Sequence, residues 1–200
     1  YREAVEKVAA AAEKYARVQR IDRDFLPNML FGEKDIVVAV GQDGLVANVM
    51  KYLNRQPLIG VNPDPARWDG ILLPFEAGQA EKAILKTLAG NYAAKEITMA
   101  QASTQDGQCM LAVNDLFIGL RTHASARYDI TWNRETEHQS SSGIIVSTGL
   151  GSTGWYKSVI TQAAGIASAF GGREFKAGRL SWDAERLIFV VREPFPSRST

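Results

Sequence analysis

Cysteine is almost absent from this chain. Among its 200 residues there is one, Cys109, and the only histidines are His123 and His138. A single thiol cannot close an intramolecular disulfide, and one Cys with two His falls short of a four-ligand zinc set. A reducing compartment, the cytoplasm, is the expectation. An excess of one charge is lacking too: 23 Lys and Arg against 22 Asp and Glu leave a formal charge of +1. That gives no field to draw nucleic acid or an anionic membrane. No apolar run approaches the ~20 residues of a membrane span, and residues 1–21 are too charged for a secretory signal. Because the chain begins at Tyr1 rather than Met, an upstream targeting segment stays open, and with it a mitochondrial location. Repeats, low-complexity tracts and flexible linkers are missing. So is G-x-x-x-x-G-K-[ST], which excludes an ordinary P-loop kinase.

With 46% of residues hydrophobic and 22% charged, what is present suits a globular protein with a real core, burying on the order of 70% of its unfolded surface. Val5, Val8, Ala12, Tyr15, Val18 and Ile21 recur every three or four positions, which predicts one amphipathic helix over residues 1–21. The apolar runs 35–40 and 56–61 predict two short strands buried on both faces, joined by a helix over 45–53. A helix over 76–88 follows. Beyond Asn91 the texture changes to strand-like runs at 95–104, 109–118, 126–132, 143–148 and 186–191, with a hairpin turn at Asp106-Gly107 and one helix over 154–170. The expectation is an α/β N-terminal half (1–90) with a short parallel sheet, followed by a β-rich, β-sandwich-like half (91–200). Cys109, inside an apolar run, is expected to be a buried small hydrophobe, and His123 and His138 to lie at the surface.

Two glycine-rich turns and one polar pair carry the chemistry. Gly41-Gln42-Asp43-Gly44 ends the first strand, where open α/β sheets place ligands and where bare backbone N–H groups can approach phosphate oxygens. A plain strand-to-helix turn with a capping Asp is the alternative. Gly149-Leu150-Gly151-Ser152-Thr153-Gly154 fits G-x-G-x-x-G between a strand and a helix. The second strand and acid that a dehydrogenase needs about 20 residues on are replaced by the loop-like residues 170–174. Asn114-Asp115 interrupts an apolar run, either as a turn in water or as a reader of hydroxyls or base edges.

Taken in order, these motifs resemble those of the NAD kinases, which read GGDG, NE and a TGSTAY-like loop, and the resemblance spans nearly the whole chain. Residues 57–65 and 141–149 are similar to segments of the mitochondrial-type branch. The resemblance implies transfer of the γ-phosphoryl group of ATP, with Mg²⁺, to the 2′-hydroxyl of the adenosine ribose of NAD. By position it makes Asp43 the acid that accepts the hydroxyl proton, with Gly41, Gln42 and Gly44 at the phosphates. Asn114 and Asp115 would hold the adenosine half of NAD, and Thr153, Gly154, Trp155 and Ser158 would line the adenine pocket. Ser142, which stands where many bacterial members have Asp, is placed with these NAD-binding residues. It also implies a 91–200 domain that binds NAD and is incomplete at its C-terminus, and assembly into a homodimer or homotetramer through this half.

The departures from the family pattern are specific. Gln42 replaces a glycine, adding a side chain beside the triphosphate and disfavouring φ > 0, so Gln42→Gly is expected to improve donor binding or turnover. Leu45 replaces a threonine, Asp115 is one methylene shorter than the usual Glu, and Trp155 stands for Tyr. A lipid kinase of the diacylglycerol or sphingosine type, or a non-catalytic NAD(P)-binding protein, are the alternatives.

Overall fold

The computed structural model describes residues 1–173 and 175–196, so the expected loop at 170–174 is described up to Arg173, and the chain end at 197–200 lies outside the described residues. The chain forms two compact units, Tyr1–Ala94 and Lys95–Thr200.

In the first unit, α1 (Arg2–Glu13), β1 (Val37–Val40), α2 (Asp43–Met50), β2 (Leu58–Asn62), β3 (Phe75–Glu76) and α3 (Ala80–Leu88) follow one another, with a 3-10 turn at Arg23–Asn28. The strands form a parallel sheet in the order β1-β2-β3, with Val37 opposite Leu58 and Val61 opposite Phe75. Alternation along the strands divides the core. Val38, Val40, Ile59 and Val61 pack with Val8 of α1 and Ala80, Ala83 and Ile84 of α3. Val37, Ala39 and Leu58 pack on the other side with Leu26, with Val46 and Val49 of α2, and with Leu73. A parallel sheet covered on both faces explains why these strands are nearly continuous apolar runs. The first helix is shorter than its periodicity suggests. It ends at Glu13, and the segment beyond turns back, with Arg20 2.7 Å from Glu6 and 3.5 Å from Glu13 and with Tyr15 donating to Glu81 of α3 at 2.7 Å. The helix expected at 76–88 begins later, at Ala80, because Phe75 and Glu76 join the sheet as β3.

The second unit contains β4 (Ala100–Ser103), β5 (Cys109–Ala112), β6 (Asp115–Ile118), β7 (Ala126–Trp132), β8 (Glu135–Ser141), β9 (Ile144–Ser147), α4 (Trp155–Ala169) and β10 (Ile188–Val191). Two antiparallel hairpins, β4-β5 and β7-β8, accompany an antiparallel sheet ordered β10-β9-β6. The β4-β5 turn carries Gly107 at φ 86°, as the Asp-Gly signal predicts. At the β7-β8 turn Asn133 and Arg134 take φ 49° and 71°, which matches the right-handed twist of a two-residue hairpin. Cys109 is exposed. This corrects the expectation of burial: β5 pairs only with β4, leaving its first residues in solvent. His123 and His138 are exposed, and His138 Nδ1 lies 2.5 Å from Asp129 Oδ1 across the hairpin. Among the described residues no helix is long and apolar enough to cross a membrane.

Candidate functional site

Each unit carries a separate part of the expected chemistry. In the first, the chain leaves the carboxyl end of β1 through Gly41 and Gln42 and enters α2 at Asp43, two residues before the expected start. The N–H groups of a first helical turn have no intrahelical acceptor, so residues 43 and 44 present donors beside the sheet's carboxyl end. Gln42 is exposed and extended, at φ −103° and ψ 164°. The turn therefore needs no left-handed residue there, and any effect of Gln42 on a ligand comes from its side chain alone. A Cβ added at Gly44 would meet nothing within 4 Å, so the front of the turn is open. Asp43 does not cap its own helix. Its Oδ1 accepts the Leu72 N–H at 2.6 Å, tethering the loop before β3 and leaving the other carboxylate oxygen for a ligand.

In the second unit, Asn114, Asp115 and residues 149–154 come together. The apolar run 109–118 is not one strand. It breaks at Val113-Asn114 because Thr148 reaches both peptides, donating its hydroxyl to the Val113 carbonyl at 2.6 Å and its N–H to the Asn114 carbonyl at 2.9 Å. The same hydroxyl accepts the Gly151 N–H at 3.0 Å. Glycine is required at 151, since an added Cβ would sit 2.0 Å from the Asn114 carbonyl oxygen and 2.6 Å from Ser147 Oγ. Ser152 donates to the Gly149 carbonyl at 2.7 Å, and the Thr153 hydroxyl to the Leu150 carbonyl at 2.9 Å.

Asp115 and Ser147 are cross-strand partners in β6 and β9. Asp115 Oδ1 and Ser147 Oγ are both buried and without a hydrogen-bond partner. Burial pushes the Asp115 carboxyl above its ordinary value, and the Ser147 hydroxyl pulls it partly back without closing a hydrogen bond of normal geometry. Unpartnered buried oxygens are costly, and here they lie beside the glycine loop. Between the ordinary and the raised value the folded chain holds a proton that the unfolded chain has released, so Asp115 removes stability as pH rises through that window. Asp115→Asn is expected to melt above the parent near neutral pH, with the gap closing at about pH 3, below the ordinary carboxylate range. Equal melting temperatures at both pH values would contradict this.

Trp155 opens α4 and is 40% exposed. Phe117 of β6 stacks on it with centroids 5.7 Å apart. Beside it lies a cavity of about 230 Å³ lined by Trp155, Ser158, Val159, Gln162, Arg192 and Glu193. Trp155 and Ser158 were expected at one site, and the cavity unites them. Ser142 reaches the same place, its hydroxyl donating to Glu193 at 2.5 Å. Arg192, Glu193 and Gln162 belong to no motif and were not anticipated.

No family model matches the chain. It is 26% identical over 151 residues to the NAD kinase of Saccharolobus islandicus (strain M.14.25 / Kamchatka #1), covering 76% of this chain and 54% of that protein. It is 31% identical over 124 residues to the NAD kinase of Methanoregula boonei, covering 60% and 44%. Among solved structures, an NAD kinase from Archaeoglobus fulgidus in complex with ATP superimposes with a TM-score of 0.61 at 19% identity, over 96% of this chain and 69% of that one. The chain is similar to NAD kinases in sequence and shares their fold. Yeast NADH kinase complexed with NADH has the same fold, with a TM-score of 0.60 at 17% identity over 82% of this chain and 43% of that one. The chain spans about half the length of the curated NAD kinases it matches. These relatives do not favour a lipid kinase or a non-catalytic binding protein.

Proposed function

We propose that the chain carries the NAD kinase reaction, moving the γ-phosphoryl group of ATP to the 2′-hydroxyl of the adenosine ribose of NAD. The observation that carries this reading is the buried, unpartnered Asp115 carboxylate oxygen beside the glycine loop, on the strand whose Phe117 stacks on Trp155. An acceptor-only group in that setting is suited to vicinal hydroxyls, each of which donates one hydrogen bond. In this scheme Asn114 and Asp115 hold the adenosine half, Thr153, Gly154, Trp155 and Ser158 frame the base, and Ser142 keeps Glu193 at its edge. Gly41, Gln42 and Gly44 receive the donor phosphates, and Asp43 takes the 2′-hydroxyl proton through the oxygen not bound to Leu72.

No group of three or more His, Cys, Asp or Glu that could hold a metal ion occurs among the described residues. Asp43, the carboxylate at the turn, would help to hold Mg²⁺ brought with the donor's phosphates, and the ion would supply charge neutralisation there. We further propose a cytoplasmic protein of the mitochondrial-type branch, on the strength of residues 57–65 and 141–149, and a homodimer or homotetramer formed through the β-rich half. Light scattering at micromolar concentration tests the assembly: a monomer near the 21.9 kDa chain mass that still makes NADP refutes it. A coupled assay of NADP formation, run with ATP and then with polyphosphate, tests the activity. NADP formed from NAD is the expected result, and NAD binding with no turnover of either donor would reject it.

A further inference from the structure

The cavity beside α4 is more selective than an aromatic slot. Its walls combine the Trp155 ring, the Val159 methyls, a hydroxyl, an amide, a guanidinium and a carboxylate. The Arg192 guanidinium lies 5.8 Å from the centroid of the Trp155 ring, on which Phe117 stacks at 5.7 Å. The indole is thereby fixed as a platform for a planar heterocycle.

Glu193 is placed with similar care. Ser142 Oγ donates to its Oε2 at 2.5 Å and Arg192 Nη2 to its Oε1 at 3.3 Å. Its backbone takes φ 53°, a left-handed conformation that an L side chain adopts at a cost and that elsewhere accompanies functional placement. The Ser142 hydrogen bond, and after it the Arg192 charge, hold the Glu193 carboxyl below its ordinary value. At neutral pH it is a carboxylate, which accepts hydrogen bonds and donates none.

We propose that Glu193 is a specificity-determining residue that selects a 6-amino purine, adenine, over a 6-oxo purine, hypoxanthine, at the edge of the base stacked on Trp155. On the N7 side of the base an exocyclic amino group donates to the carboxylate, whereas hypoxanthine offers there only the lone pairs of its carbonyl oxygen and N7, its N1–H lying on the other side of the 6-position. Ser142 is a positioning residue that acts through Glu193. The inference rests on the reading of this cavity as the NAD pocket.

The test is calorimetric binding of NAD and of nicotinamide hypoxanthine dinucleotide to the full chain, to Glu193→Gln and to Ser142→Ala. The parent is expected to prefer NAD by on the order of tenfold or more, as one charge-assisted hydrogen bond at a partly open edge allows. Glu193→Gln, whose amide can donate to the 6-oxo group, should bring the two affinities to within about threefold of each other, mainly by gaining hypoxanthine dinucleotide. Ser142→Ala should fall between. An unchanged preference in Glu193→Gln, or a parent that binds both dinucleotides equally, overturns the role of Glu193 and leaves the NAD reading standing. A parent that binds neither dinucleotide overturns both.

Discussion

Asp43→Asn is expected to lower NADP formation by on the order of 10² to 10⁴, with melting temperature and NAD affinity close to those of the parent. The structure makes this substitution discriminating. The Asp43 carboxylate does two jobs, accepting the Leu72 N–H at 2.6 Å and, in the proposed reaction, a proton. The amide oxygen of Asn keeps the first and its weak basicity removes the second. Asp43→Ala removes both, and should add a loss of stability of about 1 kcal/mol for the unmade hydrogen bond. A coupled assay alongside thermal melts separates the two variants. If Asp43→Asn works within a factor of a few of the parent, Asp43 is a loop tether and the base lies elsewhere.

Gly151→Ala carries the second large effect. The added methyl would lie 2.0 Å from the Asn114 carbonyl oxygen, 2.6 Å from the Asn114 carbonyl carbon and 2.6 Å from Ser147 Oγ. Two of these are backbone atoms that no rotamer change can move. Strain of about 1 to 3 kcal/mol is expected, relieved by lifting the glycine loop off Asn114 and so parting it from Asp115. NAD affinity should fall at least tenfold, the equivalent of about 1.4 kcal/mol. Gly44→Ala is the control, because its methyl meets nothing within 4 Å and alanine favours the helix by about 0.5 to 1 kcal/mol. Its melting temperature should be unchanged or slightly raised. Parent-like NAD binding by Gly151→Ala would mean that the loop and Asn114 separate without consequence for the ligand.

Why some of this was legible and some not follows from where each signal resides. The strands at Val37–Val40 and Leu58–Asn62 are visible in sequence because both their faces are buried, which forces continuous apolar runs. Glu135–Ser141 contains no apolar residue and is a strand only because β7 pairs with it, so local patterning could not reveal it. The break between β5 and β6 depends on Thr148, 35 residues from Val113. Asp43, Asn114, Asp115 and Trp155 announced themselves through motifs. Glu193 did not, since it enters the cavity through the pairing of β10 with β9 and the turn that follows.

Thr148 also has a kinetic meaning. Its hydroxyl and N–H bond the peptides of Val113 and Asn114, the hydroxyl takes the Gly151 N–H, and its carbonyl accepts the Ser152 N–H at 2.9 Å. The bend that presents Asp115 and the loop that faces it hang on one fully buried residue. Opening either one breaks bonds to the other, so they form a single cooperative unit. The amide hydrogens of Thr148, Gly151 and Ser152 should accordingly share one opening free energy once their intrinsic exchange rates are divided out, and a bound dinucleotide should raise it for all three together.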